Sequence, residues 1–304
     1  MQTILGSTGA IGKLLAKELT NYTHDIRLVS RNPVKVNDGD SLFKADLLNK
    51  DQVSEAVKDS EVVYLTAGLQ YNIKIWRQQW PVIMRNVIDA CLEHDAKFVF
   101  FDNIYMISKE HFNNITEESP INPCSRKGEI RAQLDNMILD EMKNGNLNAI
   151  IARAADFYGK GSERVSILYQ MVIDNVRKGK KAQWFIDSSK KHSFTFTPDA
   201  AKAVAILGNT PDAFNQIWNL PTAQAISGEE MINLVASLIQ KNIKHQVMPL
   251  FVLKGLSVFV PVLKEFVELA YQWDRDYILN SSKFEKRFNF VPTSLGDGVK
   301  QILS

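Results

Sequence analysis

Glycines stand at every third position of Gly6-Ser7-Thr8-Gly9-Ala10-Ile11-Gly12, a spacing that suits a backbone wrapped around a pyrophosphate. In such a loop one glycine makes the tight turn and one lets the main chain approach the phosphates. A third lets the following helix pack close to the preceding strand. Thr3-Ile4-Leu5 supplies an apolar strand before the loop, and Lys13 to Leu19 carries a helical pattern after it. The helix N-terminus then offers unpaired N–H groups and the positive end of its dipole to the phosphates. A glycine-rich turn without a ligand is the alternative, and the strand–turn–helix context argues against it. The next strand ends Val29-Ser30-Arg31 with no acid. Sites that prefer NAD place Asp or Glu there to bond the ribose 2′-hydroxyl, whereas a guanidinium pairs with a 2′-phosphate and stacks on adenine. Arg31 therefore points to NADP(H), with NAD(H) as the second choice and a solvated loop arginine as the non-functional reading. Asp46 and Leu47 follow a third strand, and Thr66-Ala67-Gly68 follow a fourth. Asp46 is placed to bond the adenine amine, and the Thr66–Gly68 backbone to pass beneath the cofactor. Their order at the carboxyl ends of successive strands distinguishes them from plain turns.

These residues need a sheet to hold them. Ile26-Arg27-Leu28-Val29, Leu42-Phe43-Lys44, Glu61 to Leu65 and Phe98 to Phe101 read as strands, and Trp76 to Leu92 carries apolar residues at helical spacing. Strands alternating with helices, without a tight hairpin signal, predict an α/β fold: a doubly wound parallel sheet covered on both faces, the Rossmann arrangement. After a sixth strand at Ala149-Ile150-Ile151 the rhythm loosens and aromatics accumulate, with Phe157, Tyr158, Trp184, Phe185, Phe194 and Phe196. The expected division is a dinucleotide-binding domain over 1–155 and a smaller C-terminal substrate lobe over 156–304. Some segments of the lobe are expected to return to the first domain.

Hydrophobic residues make up 45% of the 304 residues and charged ones 23%, which is ordinary globular usage and excludes the disordered classes. A net charge of +2 without a basic stripe among aromatics gives no footprint for nucleic acid. Cys91 and Cys124 are too few for a disulfide framework and lack metal-ligand spacing, so no metal is expected and a reduced, cytoplasmic setting is. The glycine loop begins at residue 6, so no signal peptide is expected ahead of it. Val247 to Val267 raises a membrane question, but Lys254, Gly255, Pro261, Lys264 and Glu265 interrupt it. It falls short of the ~20 unbroken apolar residues of a span. One or two buried helices, kinked at Pro261, are expected instead, with no stable membrane insertion.

Taken together, Gly-x-x-Gly-x-x-Gly, the Asp after strand three and the Ala-Gly after strand four resemble the extended short-chain dehydrogenase/reductases. The closer resemblance is to their NAD-dependent epimerase/dehydratase branch, and it continues along the chain. Glu117 to Pro123 is similar to the acidic, proline-marked loop before the family's catalytic helix. Arg153-Ala154-Ala155-Asp156-Phe157-Tyr158-Gly159 is similar to its Arg-x-x-Asn-x-Tyr-Gly segment. His192 to Ala201 resembles the strand and helix start that carry a Val-x-Asp-Val signature, and Asn280-Ser281-Ser282-Lys283 with Phe288 to Pro292 resembles the usual ending. The resemblance implies a nicotinamide cofactor and a small-molecule substrate. It also implies a homodimer joined by a four-helix bundle, to which the helices around Trp76–Leu92 and Lys127–Lys143 are suited.

The departure lies at the catalytic centre. Where the family has Tyr-x-x-x-Lys, this chain reads Arg126-Lys127-Gly128-Glu129-Ile130-Arg131, so Lys127 stands in the tyrosine position and Arg131 in the lysine position. The usual Ser or Thr after the fifth strand is replaced in Phe101-Asp102-Asn103-Ile104-Tyr105. Two cations one turn apart on a helix can hold ribose and phosphate. Arginine cannot release a proton, whereas a lysine with a lowered pKa can serve as acid or base. Either Lys127 handles a carbonyl oxygen, with Asn103 or Tyr105, or the pair is structural and catalysis is lost. Asp102, Asp156, Tyr158 and His192 are further polar groups near this centre, and Arg153 reads as structural. The expected function is an NADP(H)-dependent oxidoreductase for a carbonyl/alcohol pair on a mostly apolar small molecule. The apolar bias rests on Trp184, Phe185, Phe194, Phe251, Phe259 and the run around Val262. A non-catalytic NADP(H)-binding redox sensor and a sugar-nucleotide epimerase or dehydratase are the alternatives.

Overall fold

The computed structural model describes residues 1–259 and 261–304, without the side chains of Pro261 and Val262. The first part of the chain runs β1 (Gln2–Leu5), α1 (Ala10–Leu19), β2 (Ile26–Ser30), β3 (Ser41–Lys44), α2 (Lys50–Val57), β4 (Val62–Leu65), α3 (Ile73–Glu93), β5 (Lys97–Asp102), α4 (Arg126–Lys143) and β6 (Ala149–Arg153). It continues with β7 (Asp156–Tyr158), α5 (Asp174–Arg177), β8 (Ala182–Phe185), β9 (Lys191–His192), β10 (Phe194–Phe196), α6 (Thr197–Gly208) and β11 (Gln216–Asn219). The final elements are β12 (Ile226–Ser227), α7 (Gly228–Ile239), β13 (His245–Met248), α8 (Leu250–Ser257), α9 (Pro261–Val267), α10 (Ser282–Phe288) and α11 (Leu295–Leu303).

Seven strands form one sheet in the order β11-β6-β5-β4-β1-β2-β3, and every neighbouring pair is parallel. Strands covered on both faces read as continuous apolar runs. β1 and β4 are buried throughout, whereas the edge strand β3 is exposed at three of its four positions. Leu5 stands in register with Val29 on one side and Leu65 on the other. Strand order reverses at β1, so the loops after β1 and β4 part there and leave a crevice at the carboxyl edge. α1 and α6 pack on one face of the sheet with Ile4, Leu28 and Val99. α2, α3 and α4 cover the other with Leu65, Phe98 and Ile151.

β7, β8, β10, α7 and α11 share a separate apolar cluster around Trp184, Phe196 and Met231. The chain does not leave the first sheet for good after β6, since α6 and β11 return to it. The apolar stretch 247–267 differs from its expected burial. The helical run breaks before Pro261, which opens α9, but α8 turns Phe251 outward and buries Leu253 and Ser257. The run around Val262 lies outside the described side chains. Among the described residues no helix is long and apolar enough to cross a membrane.

Candidate active site

The carboxyl ends of β1 to β4 open onto a cleft of about 470 Å³. Gly6, Thr8, Gly9, Arg31, Asp46, Leu47, Ala67 and Gly68 all line it. Gly6 leaves β1 with φ +91°, and a Cβ there would stand 2.5 Å from the Ala67 main chain, so the turn admits only glycine. α1 starts at Ala10 with Gly9 as its N-cap residue and no side-chain cap, which leaves the helix terminus facing the cleft open to an anion. Arg31 is exposed at the rim, beside Ser30 and Asn32, and makes no ion pair among the described residues. Asp46 Oδ1 accepts from Leu48 N at 3.0 Å, which shapes the turn before α2. Uncapped amides, a glycine cradle and a free guanidinium together fit a dinucleotide.

Other members of the expected set sit behind this surface. Ser7 Oγ donates to Val29 O at 3.2 Å and Thr66 Oγ1 to Leu5 O at 3.3 Å, tying the loops to the sheet. Ile11 packs into the core beneath α1, and Gly12 is buried with it. Ala10 is half-buried at the head of the helix.

The loop after β4 is the wall between this cleft and a second pocket. Its Gly68, Leu69 and Gln70 face the cleft, while Tyr71 faces the pocket together with Tyr105, Asp156, Phe185, Phe266 and Trp273. This pocket is almost filled, at about 10 Å³. α4 delivers Lys127 beside it. Ser125 caps that helix by accepting from Gly128 N at 3.1 Å, and a Cβ on Gly128 would collide with the Tyr105 carbonyl. Glycine therefore lets the first turn of α4 settle on the loop after β5 and carry Lys127 inward. The Lys127 ammonium is 0% exposed, donates to Glu265, lies 3.9 Å from Glu268 and stands 4.6 Å from the Tyr71 ring centroid. Glu268 also accepts from Lys127 N at 2.7 Å and from Arg126 Nη2 at 2.9 Å. A buried ammonium requires such partners, because desolvation without them is prohibitive.

Tyr71 Oη donates to Tyr105 Oη at 3.3 Å. Burial, and then the neighbouring phenol, pushes the Tyr71 hydroxyl well up, and burial followed by Asp156 does the same to Tyr105. Both are therefore protonated at neutral pH and suited to donate. Asp156 bonds His192 Nε2 at 2.9 Å, and the His192 ring stacks on Trp273 at 4.1 Å. Ile186, at the pocket rim, has φ +60°, a region that β-branched residues rarely enter.

Arg131, expected to hold ribose or phosphate together with Lys127, lies one turn beyond it and is buried in the core. Its Nε donates to Asp102 at 2.6 Å, and its guanidinium lies 4.7 Å from the Trp80 ring centroid and 4.8 Å from that of Phe100. A planar cation finds a carboxylate and aromatic faces there, so it is neutralised before it reaches the cleft. Burial pushes the Asp102 carboxyl up, Asp135 adds to that, and Arg131 opposes it. Behind this pair, Arg153 donates to Asp135 at 2.6 Å, both wholly buried. Asn103 Oδ1 accepts from Tyr105 N at 3.0 Å and so holds the turn that presents the Tyr105 ring. Of the aromatic residues expected around a substrate, Phe185 lines the pocket. Trp184 and Phe194 are core, and Phe251 and Phe259 face solvent. Tyr71, Glu265 and Glu268 escaped sequence reasoning. Each reaches Lys127 from a distant segment, and the only signal was a pair of acids closing an apolar run.

The model of the NAD dependent epimerase/dehydratase family matches residues 3–220. Among curated proteins no relative is matched. Among solved structures, UDP-glucuronic acid 4-epimerase from Bacillus cereus in complex with UDP-glucuronic acid and NAD is similar, with a TM-score of 0.80 at 17% identity. The similarity covers 99% of this chain and 97% of that one. The dTDP-glucose 4,6-dehydratase of Bacillus anthracis with NAD has a TM-score of 0.78 at 17% identity, over 99% and 94% of the two chains. MoeE5 with UDP-glucose and NAD has 0.79 at 18%, over 99% and 97%. At such identities the likeness is one of fold. With the family match over most of its length, this chain belongs to the NAD dependent epimerase/dehydratase family.

Proposed function

We propose that this protein is an NADP(H)-dependent oxidoreductase that interconverts a carbonyl and an alcohol on a mostly apolar small molecule. The observation that carries it is the open cleft at the strand ends, in which Arg31 lies unpaired among the described residues and no acid ends β2. Gly6, Gly9 and the head of α1 would hold the pyrophosphate, Arg31 the 2′-phosphate and Asp46 the adenine edge. When bound, the nicotinamide would give or take the hydride. The chain's own part is proton handling. The Tyr71–Tyr105 pair would donate toward a carbonyl oxygen at the pocket, and Lys127, held by Glu265, stands over the Tyr71 ring and fixes its place. The aromatic lining of the pocket supports an apolar substrate.

Two other readings have specific support. Neutralisation of Lys127 by Glu265, beside a nearly filled pocket, favours a cofactor-binding sensor without turnover. The sugar nucleotides in the related structures favour an epimerase or dehydratase. Calorimetric titration with NADPH and NADH tests the cofactor. NADPH should bind more tightly, and Arg31→Ala should cost about 1.5–3 kcal/mol for NADPH and little for NADH. Equal affinities, or an indifferent variant, would remove the NADP(H) reading. Following NADPH oxidation with apolar ketones, and NAD-dependent conversion of UDP- and dTDP-glucose, then separates the three.

A further inference from the structure

We propose that the α8–α9 segment is a docking arm for an anionic lipid surface. α8 is oriented against the usual rule for a surface helix. Leu253 and Ser257 face the lobe, while Phe251, Lys254, Gly255 and Val258, spaced at i, i+3, i+4 and i+7, face outward. Phe251 is 75% exposed, Val258 69% and Phe259 84%, and Leu256 joins them. Single exposed apolar residues need no explanation, but four within nine residues form a patch of the kind that marks an interaction site.

Charge selects the partner. From Met231 to Lys264 the sequence contains no Asp or Glu, but has Lys241, Lys244, Lys254 and Lys264. Lys254 and Lys264 are exposed beside the apolar patch. The two acids that follow, Glu265 and Glu268, are turned inward onto Lys127 and Arg126. An outer face of aromatic and aliphatic side chains that carries Lys254 and Lys264 and, over residues 250–264, no acid complements an anionic bilayer surface, where the apolar side chains enter the acyl boundary and the ammonium groups meet the headgroups. A second copy on the same face would oppose the same lysines. The arm lies on the surface rather than spanning it, in keeping with the absence of a spanning helix among the described residues.

The test is cosedimentation of the full chain with phosphatidylcholine vesicles containing about one-third phosphatidylglycerol, and with pure phosphatidylcholine vesicles. The chain should sediment with the anionic vesicles and lose at least about tenfold in partition on F251S/F259S. K254E/K264E should abolish the preference for anionic over neutral vesicles. Both substitutions change exposed side chains, and an unaltered near-UV circular dichroism spectrum shows that the lobe remains packed. No sedimentation of the native chain, or undiminished sedimentation of F251S/F259S, would overturn the proposal. So would a size-exclusion dimer that F251S/F259S converts to monomer without any vesicle binding, since the face would then belong to a second copy.

Discussion

The cleft at the ends of β1 to β4 and the pocket beside Lys127 lie on either side of one loop, and they differ in what fills them. The cleft is about 470 Å³ of open space, walled by main chain and by side chains that include Arg31, which makes no ion pair among the described residues. The pocket, at about 10 Å³, is occupied by the protein itself. Its lysine is bonded to a glutamate, its two phenols to each other, and its histidine to an aspartate. The first surface costs the fold little because local backbone geometry makes it. The second brings charges out of water and is held only by pairing them. On the proposed reading, recognition of a cofactor and chemistry on a substrate would be carried by different kinds of structure, and the filled pocket would have to rearrange to admit a ligand.

Breaking the cleft should have the largest effect. Gly6→Val places a β-branched residue at φ +91° against Ala67, and should abolish dinucleotide binding and lower the melting temperature. Gly9→Val is the sharper comparison, because its Cβ would stand 3.3 Å from Gly6 O, a contact a small shift relieves. It should abolish binding and leave the unfolding midpoint nearly unchanged. Normal cofactor binding by Gly9→Val would show that the loop is misassigned.

On the pocket side, Lys127→Met should lower turnover by roughly 10²–10⁴ with a much smaller loss of cofactor affinity if the ammonium assists proton transfer. Parallel losses in both would instead make Lys127 a cofactor-holding residue. Deeper in the core, Arg153→Met strips Asp135 of its buried partner and should cost about 3–5 kcal/mol in urea unfolding. A near-zero cost would show that the buried pair contributes no net stability to the core.

The smallest change is Glu265→Gln, which keeps shape and removes one charge. It should weaken the closure of α9 over Lys127 by about 1–3 kcal/mol. The readout is faster amide exchange in residues 261–268, with the cleft unaffected. Unchanged exchange would show that packing by Phe266 and Leu269, not the ion pair, keeps the pocket shut.

The cleft was legible in the sequence because local rules make it. Glycine spacing, a strand before and a helix after, and the residue ending each strand are all short-range features, and the parallel sheet follows from the alternation of apolar runs. Gly6, Gly9, Arg31, Asp46 and Ala67 could therefore be named from their places along the chain, and the structure brings them onto one surface. The sequence likewise marked the missing Tyr-x-x-x-Lys and the cations that replace it. What those cations do was decided by tertiary structure. Lys127 and Arg131 share a helix and a spacing, yet one meets Glu265 from α9 and the other meets Asp102 from β5. A buried charge takes whichever partner the packing brings within bonding distance, and no periodicity along the chain encodes that partner. The same holds for Phe251 and Phe259, whose apolar character suggested burial. Whether an apolar side chain is covered depends on the neighbours that reach it, and here none among the described residues does.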